Sequence, residues 1–346
     1  MLAYRTEGRR PVLRFRMPDT SVTFTDLVRG EITFEPEHVP DYVLVRASGD
    51  PLYTLTNPVD DAMMGITHVL RGEDLLSSTP RQLPLHRAMG ELGLGAGVVP
   101  EYGHLPFVMG PGNRKLSKRD PGGGLLTYRQ RGFLPEALLN YLALLGWSIG
   151  GDREIFGLAE LGAAFDVARV NPNPAQFDLK KCEAINGVHL RELDADDLAE
   201  RLVPYLRAEL EGDLSDDQRT LLRAAAPLVQ ERMIVLSDAW PMLGFLFTGD
   251  DFAVEEASAS MLAGEGQLTV RTARDSLAGL SSWETSAIEQ ALRDALVDGL
   301  GLKPRHAFGP VRVAITGRKV SPPLFESLEL LGRERSLARL DAALDE

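Results

Sequence analysis

Gly65-Ile66-Thr67-His68-Val69-Leu70-Arg71-Gly72-Glu73-Asp74 is the stretch on which the fold turns. Ile66 to Leu70 form a short apolar run suited to a strand buried on both faces. Upstream, Tyr42-Val43-Leu44-Val45 is another such run, ended by the turn at Gly49-Asp50-Pro51. Between the two, Tyr53 to Met64 is expected as helix or turn carrying polar groups to the strand ends. After Ser77-Ser78, Thr79 reads as a helix cap, with Pro80 in the first turn, Gln82 at the reciprocal capping-box position and Gly90 as the stop. Pro84 inside that helix predicts a kink. Strand, crossover, strand and helix describe part of a parallel α/β sheet. Ligands of such sheets lie beyond the carboxyl ends of the strands, where Arg71 falls. His68, mid-strand, reads as a core histidine.

Working outward to the N-terminal side, Leu13, Phe15 and Met17 alternate with Arg14 and Arg16, and Val22-Thr23-Phe24 and Ile32-Thr33-Phe34 flank a turn at Gly30. This is a small antiparallel piece. It has few partners for its edges, so its sheet is expected to continue into chain outside this sequence.

On the other side, Leu105-Pro106-Phe107-Val108-Met109-Gly110-Pro111-Gly112-Asn113-Arg114 leads into Lys115-Leu116-Ser117-Lys118-Arg119. Two lysines three residues apart, a hydroxyl between them and an arginine after them concentrate positive charge on a Gly/Pro-rich loop. A polyphosphate suits such a loop; a solvated basic turn is the plainer alternative. It is not a P-loop. No glycine directly precedes Lys115, so the nest of backbone N–H groups that cradles phosphates is not encoded.

Tyr53, Asn57 and Arg71 would share one pocket if the strand-to-helix pattern holds. A phenol, a carboxamide and a guanidinium suit a carboxylate ligand, because arginine can clasp both oxygens while the others fix orientation. Spacing alone equally allows Arg71 to pair with Glu73, Asp74 or Asp61, with Tyr53 in the core. Asp60 and Asp61 are adjacent and do not naturally converge, which leaves them as structural groups or pocket rim.

From Phe133 the texture becomes helical. Pro135 opens a helix with Leu138, Tyr141, Leu142 and Leu145 on one stripe, and Arg191 to Leu210, Gln218 to Val235 and Ser281 to Leu296 carry helical periodicity. Ser281 and Glu284 form a capping box for the last, whose apolar face is Ile288, Ala291, Leu292 and Leu296. At 346 residues, two or three domains are expected. The N-terminus opens no apolar signal region and no run is long enough to span a bilayer, so the chain reads as cytoplasmic, with no membrane partner. Its one cysteine, Cys182, excludes an intramolecular disulfide and a Cys-rich structural zinc site, and reads as a small core residue. The net charge of -13 argues against nucleic acid, yet phosphate is bound by local patches. Lys303, Arg305, Arg312, Arg318 and Lys319 form one acid-free basic strip that favours RNA.

The basic loop, taken with Tyr53-Thr54-Leu55-Thr56-Asn57-Pro58-Val59-Asp60-Asp61 and Gly65 to Asp74, resembles the KMSKS-bearing half of a class I aminoacyl-tRNA synthetase, specifically glutamyl-tRNA synthetase. The resemblance runs from about Pro11 to about Leu340. It implies a glutamate–tRNA ligase of protein biosynthesis, whose partners are tRNA(Glu), L-glutamate and ATP, with Mg²⁺ accompanying the ATP and no structural zinc. Carboxylate attack on the α-phosphate would give glutamyl-adenylate, and transfer to the terminal ribose of tRNA would follow. By the same resemblance Tyr53, Asn57 and Arg71 contact glutamate, and Lys115 and Lys118 supply charge to the phosphates. Val108, Leu116, Ser117, Lys118 and Arg119 line the ATP site, and Lys303, Arg305, Arg312, Arg318 and Lys319 are candidates to meet the tRNA.

The implied fold is α/β followed by all-α. It is the second half of a Rossmann-like catalytic domain, a helical stem-contact region and a helical anticodon-binding domain. The expected boundaries are 1–40 for a β remnant of the acceptor-binding insertion, 41–108 for the catalytic half, 109–190 for the lysine loop and stem-contact region, and 191–346 for the anticodon-binding region. A complete member begins with a strand and a H-x-G-H-type motif, and none of the histidines at 38, 68, 86, 104, 189 and 306 is followed at three residues by another. Leu52 stands where the family often has threonine, and Asp50 precedes Pro51. An N-terminally truncated ligase with impaired catalysis is the expectation, a monomer by default. The alternative is a tRNA-binding module without ligase activity.

Overall fold

The computed structural model describes residues 10–117, 124–210, 212–249 and 252–345. The chain divides into two compact units, one of Met1–Gly123 with Leu139–Asp178 and one of Gly124–Leu138 with Leu179–Glu346.

In the first unit, β1 (Leu13–Phe15) pairs antiparallel with β4 (Tyr42–Val45). β2 (Val22–Asp26) and β3 (Gly30–Phe34) form the expected antiparallel hairpin, with Gly30 at φ 77° supplying the left-handed backbone its turn needs. β5 (His68–Gly72) and β6 (Glu101–Leu105) run parallel, in register from His68 opposite Glu101 to Gly72 opposite Leu105. These four strands make one sheet in the order β3-β2-β6-β5, with β2 parallel to β6 at Asp26 opposite Tyr102. The hairpin thus finds a partner for its β2 edge inside this chain. α1 (Tyr53–Met64) precedes β5, and α2 (Thr79–Glu91) is the crossover from β5 to β6, as the pattern requires. Met17, Val22, Val39, Leu83 and Tyr102 are the buried core between these layers.

Three expectations fail here for identifiable reasons. The Tyr42–Val45 run is not a strand buried on both faces: β1 is its one strand partner among the described residues, apart from an isolated bridge from Val45 to Pro51, and all of its residues are half-buried. β5 borders the sheet, so its residues alternate between exposed and half-buried. His68 is therefore exposed rather than a core residue, with Nδ1 2.9 Å from Thr67 Oγ1. The Thr79/Gln82 capping box does not form. Ser78 is the N-cap, without a side-chain cap bond, and both predicted capping side chains turn to Arg71.

Beyond β6, β7 (Val108–Met109) pairs parallel with β8 (Ala175–Gln176). Chain reversal through a 3₁₀ turn at Pro111–Asn113 brings Leu116 N to Val108 O at 2.9 Å and Gly110 N to Arg114 O at 2.8 Å. The basic loop thus leaves a short hydrogen-bonded hairpin. Trp147, Phe156 and Val170 form a second small core in this unit.

The second unit is helical. α3 (Leu125–Arg131) ends at Gly132, whose φ of 88° and close approach to Leu236 N exclude a side chain. α4 (Pro135–Leu144), whose residues from Leu139 on belong to the first unit, begins at the predicted proline, although Leu142 faces out at 43% exposure. Arg191 to Leu210 is not one helix: α5 (Leu179–Glu192) ends and α6 (Ala195–Leu210) begins there, and Leu198, Leu202 and Leu206 are fully buried. α7 (Asp216–Ala225) carries a capping box of Ser215 and Gln218. α8 (Glu265–Ala278), α9 (Thr285–Leu292), α10 (Pro304–Thr316), α11 (Leu324–Leu331) and α12 (Arg333–Asp345) follow, after shorter helices at Pro227–Gln230, Ala239–Leu243 and Glu256–Ala259. Ile288, Leu292 and Leu296 are buried as predicted. Glu284 is the N-cap residue of α9 but makes no side-chain cap bond, so the expected box with Ser281 does not form; Glu329 Oε2 accepts from Thr285 N at 2.8 Å and does that work from α11. Cys182 is buried in α5, and burial pushes its thiol up to about 12.

Candidate functional site

The site is built from a buried carboxylate outward. Asp26 ends β2, and its Oδ1 accepts from Val28 N and Arg29 N at 3.0 Å and from His104 N at 3.2 Å. Its Oδ2 lies 2.5 Å from His104 Nδ1, and both side chains are fully buried. Burial alone would raise the Asp26 pKa, but the His104 ring and the three backbone N–H donors together hold it below its ordinary value. Burial likewise lowers the His104 pKa, aided by the charges of Arg71 and Arg29 and opposed by Asp26.

Arg71, at the carboxyl end of β5, faces this pair. Its Nε donates to His104 Nε2 at 3.1 Å, and its Nη2 donates to Thr79 Oγ1 and Gln82 Oε1 at 2.8 Å and to Leu75 O at 3.2 Å. The guanidinium carbon lies 5.1 Å from the Tyr102 ring centroid. Among the described residues, buried Nη1 has no hydrogen-bond partner, and neither has the Tyr102 hydroxyl. The alternative pairings allowed by spacing are taken up elsewhere: Glu73 binds Arg29 and Phe107 N, Asp74 binds Lys115, and Asp61 accepts from Asn57 Nδ2 at 3.2 Å. Among the described residues, no carboxylate forms an ion pair with Arg71.

Asn57 on α1 joins the same network, since Gln82 Nε2 donates to its Oδ1 at 3.0 Å. Tyr53, at the start of α1, is half exposed rather than packed in the core, and lies close enough to Tyr102, with Arg71 and Asp61, to influence its titration. Asp61 is raised by burial, against the pull of Arg71. The structure therefore brings Tyr53, Asn57 and Arg71 to one corner and adds four groups that sequence alone missed: Asp26, Thr79, Gln82 and His104. Two of the four were assigned to a helix cap. His104 and Asp26 carried only a positional signal, each lying at the end of a strand.

Lys115 Nζ is 3.2 Å from Asp74 Oδ2, so the lysine loop reaches the turn that follows Arg71. Val108, Leu116 and Ser117 belong to the hairpin at its base. Lys118 and Arg119 lie outside the described residues. Of the basic strip, Lys303 and Arg305 are exposed at the start of α10. Arg312 turns inward, donating to Ser321 Oγ at 2.7 Å and Pro322 O at 2.8 Å, and burial lowers its pKa. Arg318 pairs with Glu255 and binds Pro241 O, and Lys319 binds Ala257 O. Roughly 20 Å of helix separates the two ends, so the five do not make one patch.

The chain matches the family model of class I tRNA synthetases (E and Q), catalytic domain, over residues 1–184, and that of an anticodon binding domain over 197–344. A glutamate–tRNA ligase of a Nocardioides species is 60% identical, covering 99% of this chain and 70% of its own length. That of Saccharopolyspora erythraea is 62% identical, with 99% and 68% covered. The solved glutamate tRNA ligase from Elizabethkingia meningosepticum, in complex with its amino acid, superposes with a TM-score of 0.80 at 27% identity, covering 99% of this chain and 70% of that one.

Proposed function

The chain belongs to the glutamate–tRNA ligase family of class I aminoacyl-tRNA synthetases, and on that premise we propose that it takes part in ATP-dependent activation of L-glutamate and its transfer to tRNA(Glu). The observation that carries the amino-acid half of this reading is Arg71: a guanidinium fixed at Nε and Nη2, without a carboxylate partner among the described residues, and with Nη1 unsatisfied. Such a donor favours a ligand carboxylate, because an ionised oxygen offers the short charge-assisted bond that neutral acceptors do not. Tyr53 and Asn57, on the adjoining helix, orient that ligand.

Lys115, with Lys118 beyond it, meets the phosphates of ATP. Activation needs little acid–base chemistry and much charge stabilisation, so two lysines on a loop are a sufficient tool set. Mg²⁺ accompanies the nucleotide as part of the substrate. Lys303 and Arg305, exposed at the start of α10, are the members of the basic strip best placed to meet RNA.

The test is charging of total tRNA with labelled glutamate, beside Arg71→Ala and Lys118→Ala, with tRNA binding measured in parallel. Charging that disappears in both variants supports the proposal. Binding of tRNA without charging by the parent chain would overturn the ligase reading and leave RNA recognition by the helical unit.

A further inference from the structure

We infer that His104 is the positioning residue of the amino-acid site: Asp26 fixes its tautomer, and its Nε2 then serves as a rigid acceptor that orients the Arg71 guanidinium toward the ligand carboxylate. This rests on the assignment of Arg71 as the carboxylate receptor.

The donor and acceptor inventory forces the tautomer from both ends. Arg71 carries only donors, so its Nε, 3.1 Å from His104 Nε2, requires a lone pair there. Asp26, its Oδ1 already filled by three backbone N–H groups, accepts at Oδ2 and requires the proton on Nδ1. Only a neutral ring protonated at Nδ1 satisfies both. Thr79 Oγ1, which accepts from Arg71 Nη2, lies 3.1 Å from the same Nε2 and donates its hydroxyl there; protonation at Nε2 would set the Arg71 Nε donor against another inside a site with no water-facing surface on the ring.

The consequence for Arg71 is geometric. Nε is held by His104 and Nη2 by Thr79, Gln82 and the Leu75 carbonyl, which fixes the guanidinium plane along one edge. Nη1 is the nitrogen left without a partner. An arginine without this brace would sample many rotamers and lose the entropy on binding. Imidazole suits the task because it donates to a carboxylate on one side and accepts on the other within one rigid plane.

A plain structural role, tying β2 to β6 through Asp26 and His104, predicts different outcomes, and paired variants separate the two. In His104→Asn the amide can still donate to Asp26 but nothing reaches Arg71; in His104→Gln the amide oxygen can stand where Nε2 stood. L-glutamate binding to the whole chain is measured by calorimetric titration, beside thermal unfolding. The expected result is a loss of about tenfold or more for His104→Asn and retention within about threefold for His104→Gln, at similar melting temperatures. Equal affinity of His104→Asn and the parent, with Arg71→Ala abolishing binding, overturns the positioning role while leaving the Arg71 assignment intact. Losses in both His104 variants that track their loss of stability overturn it in favour of a structural brace. If the parent and Arg71→Ala are alike in failing to bind glutamate, the assignment of the site itself falls and the positioning role with it. The ring ¹⁵N shift of Nε2 gives an independent check, expected in the unprotonated range and overturning the proposal if protonated at neutral pH.

Discussion

Lys115 Nζ stands 3.2 Å from Asp74 Oδ2 and 4.1 Å from the centroid of the Phe107 ring. The lysine is thus held by an anion on the turn that follows Arg71 and by an aromatic face between β6 and β7. A nucleotide phosphate has to displace Asp74 to engage it. Asp74→Asn is therefore expected to lower the KM for ATP by roughly 1.4- to fivefold, the range set by a half-exposed ion pair worth about 0.2–1 kcal/mol. The difference should shrink as salt is raised. ATP titrations at two ionic strengths check this, and an unchanged KM at low salt would refute it.

Gln82 joins Arg71 to Asn57 with one amide, accepting from the first and donating to the second. Gln82→Leu removes both bonds in a buried place. The expected outcome is a KM for glutamate raised about tenfold with the KM for ATP unaffected, since the lysine loop makes no use of this amide. Parallel changes in both constants would mean that the residue serves folding rather than the amino-acid pocket.

Stability should fall from pH 7 to pH 5. His104 and His86 are both held below the ordinary imidazole pKa, chiefly by burial; Asp26, Arg71 and Arg29 are the charged groups around His104. Unfolded histidines take up protons near about 6.5, so acid favours the unfolded chain until the lower folded values are reached, by at most about 1.4 kcal/mol per pH unit for each ring. Asp26 acts in the same sense further down, its contribution being lost as pH drops below about 3.9. Thermal melts across this range test the point. A flat profile between pH 7 and 5 would contradict it, and His86→Leu should reduce the slope without abolishing it.

Arg339 on α12 donates to Ile315 O at 2.6 Å, Phe245 O at 2.7 Å and Thr248 O at 3.0 Å, and lies 3.7 Å from the Phe252 ring centroid. Burial, with Arg335 nearby, brings its pKa down to about 10, so it remains charged at neutral pH. Arg339→Met takes the donor from the Ile315 and Phe245 carbonyls, Thr248 O keeping Arg335 Nη2 at 2.9 Å, and should cost about 2–4 kcal/mol. Urea unfolding measures it, and a loss below about 0.5 kcal/mol would show that the carbonyls find water instead.

Cys182 offers a simpler check. A thiol pushed up to about 12 is protonated and shielded, so a disulfide reagent at pH 8 should react only after denaturation. Rapid reaction of the native chain would show that α5 opens readily.

Much of the fold was legible because period and punctuation are local signals. The Gly30 turn, the strand before Arg71, the helix from Pro135 and the buried face of Ile288, Leu292 and Leu296 could all be read from neighbours along the chain. Tyr53, Asn57 and Arg71 were legible as a group because α1 and β5 adjoin in sequence. What failed depends on partners far away. An apolar run does not say whether its strand is central or at an edge, which is why His68 was misplaced. Thr79 and Gln82 have capping-box spacing, but a charged guanidinium competes for their oxygens and wins. Asp26 and His104 are 78 residues apart, and no motif links them before the chain is folded.

The pairing of β7 with β8 also sets an order of events during synthesis. Val108 and Met109, which anchor the lysine hairpin, are matched to Ala175 and Gln176, and among the described residues α3, α4 and the helix Leu158–Ala164 are translated between them. At ribosomal speeds that interval is on the order of several seconds, during which the basic loop has emerged without the strand that will hold its base. The nascent chain therefore presents its most concentrated positive charge next to ribosomal RNA before β7 is paired, and β7 gains its parallel partner only once the first residues of β8 are made.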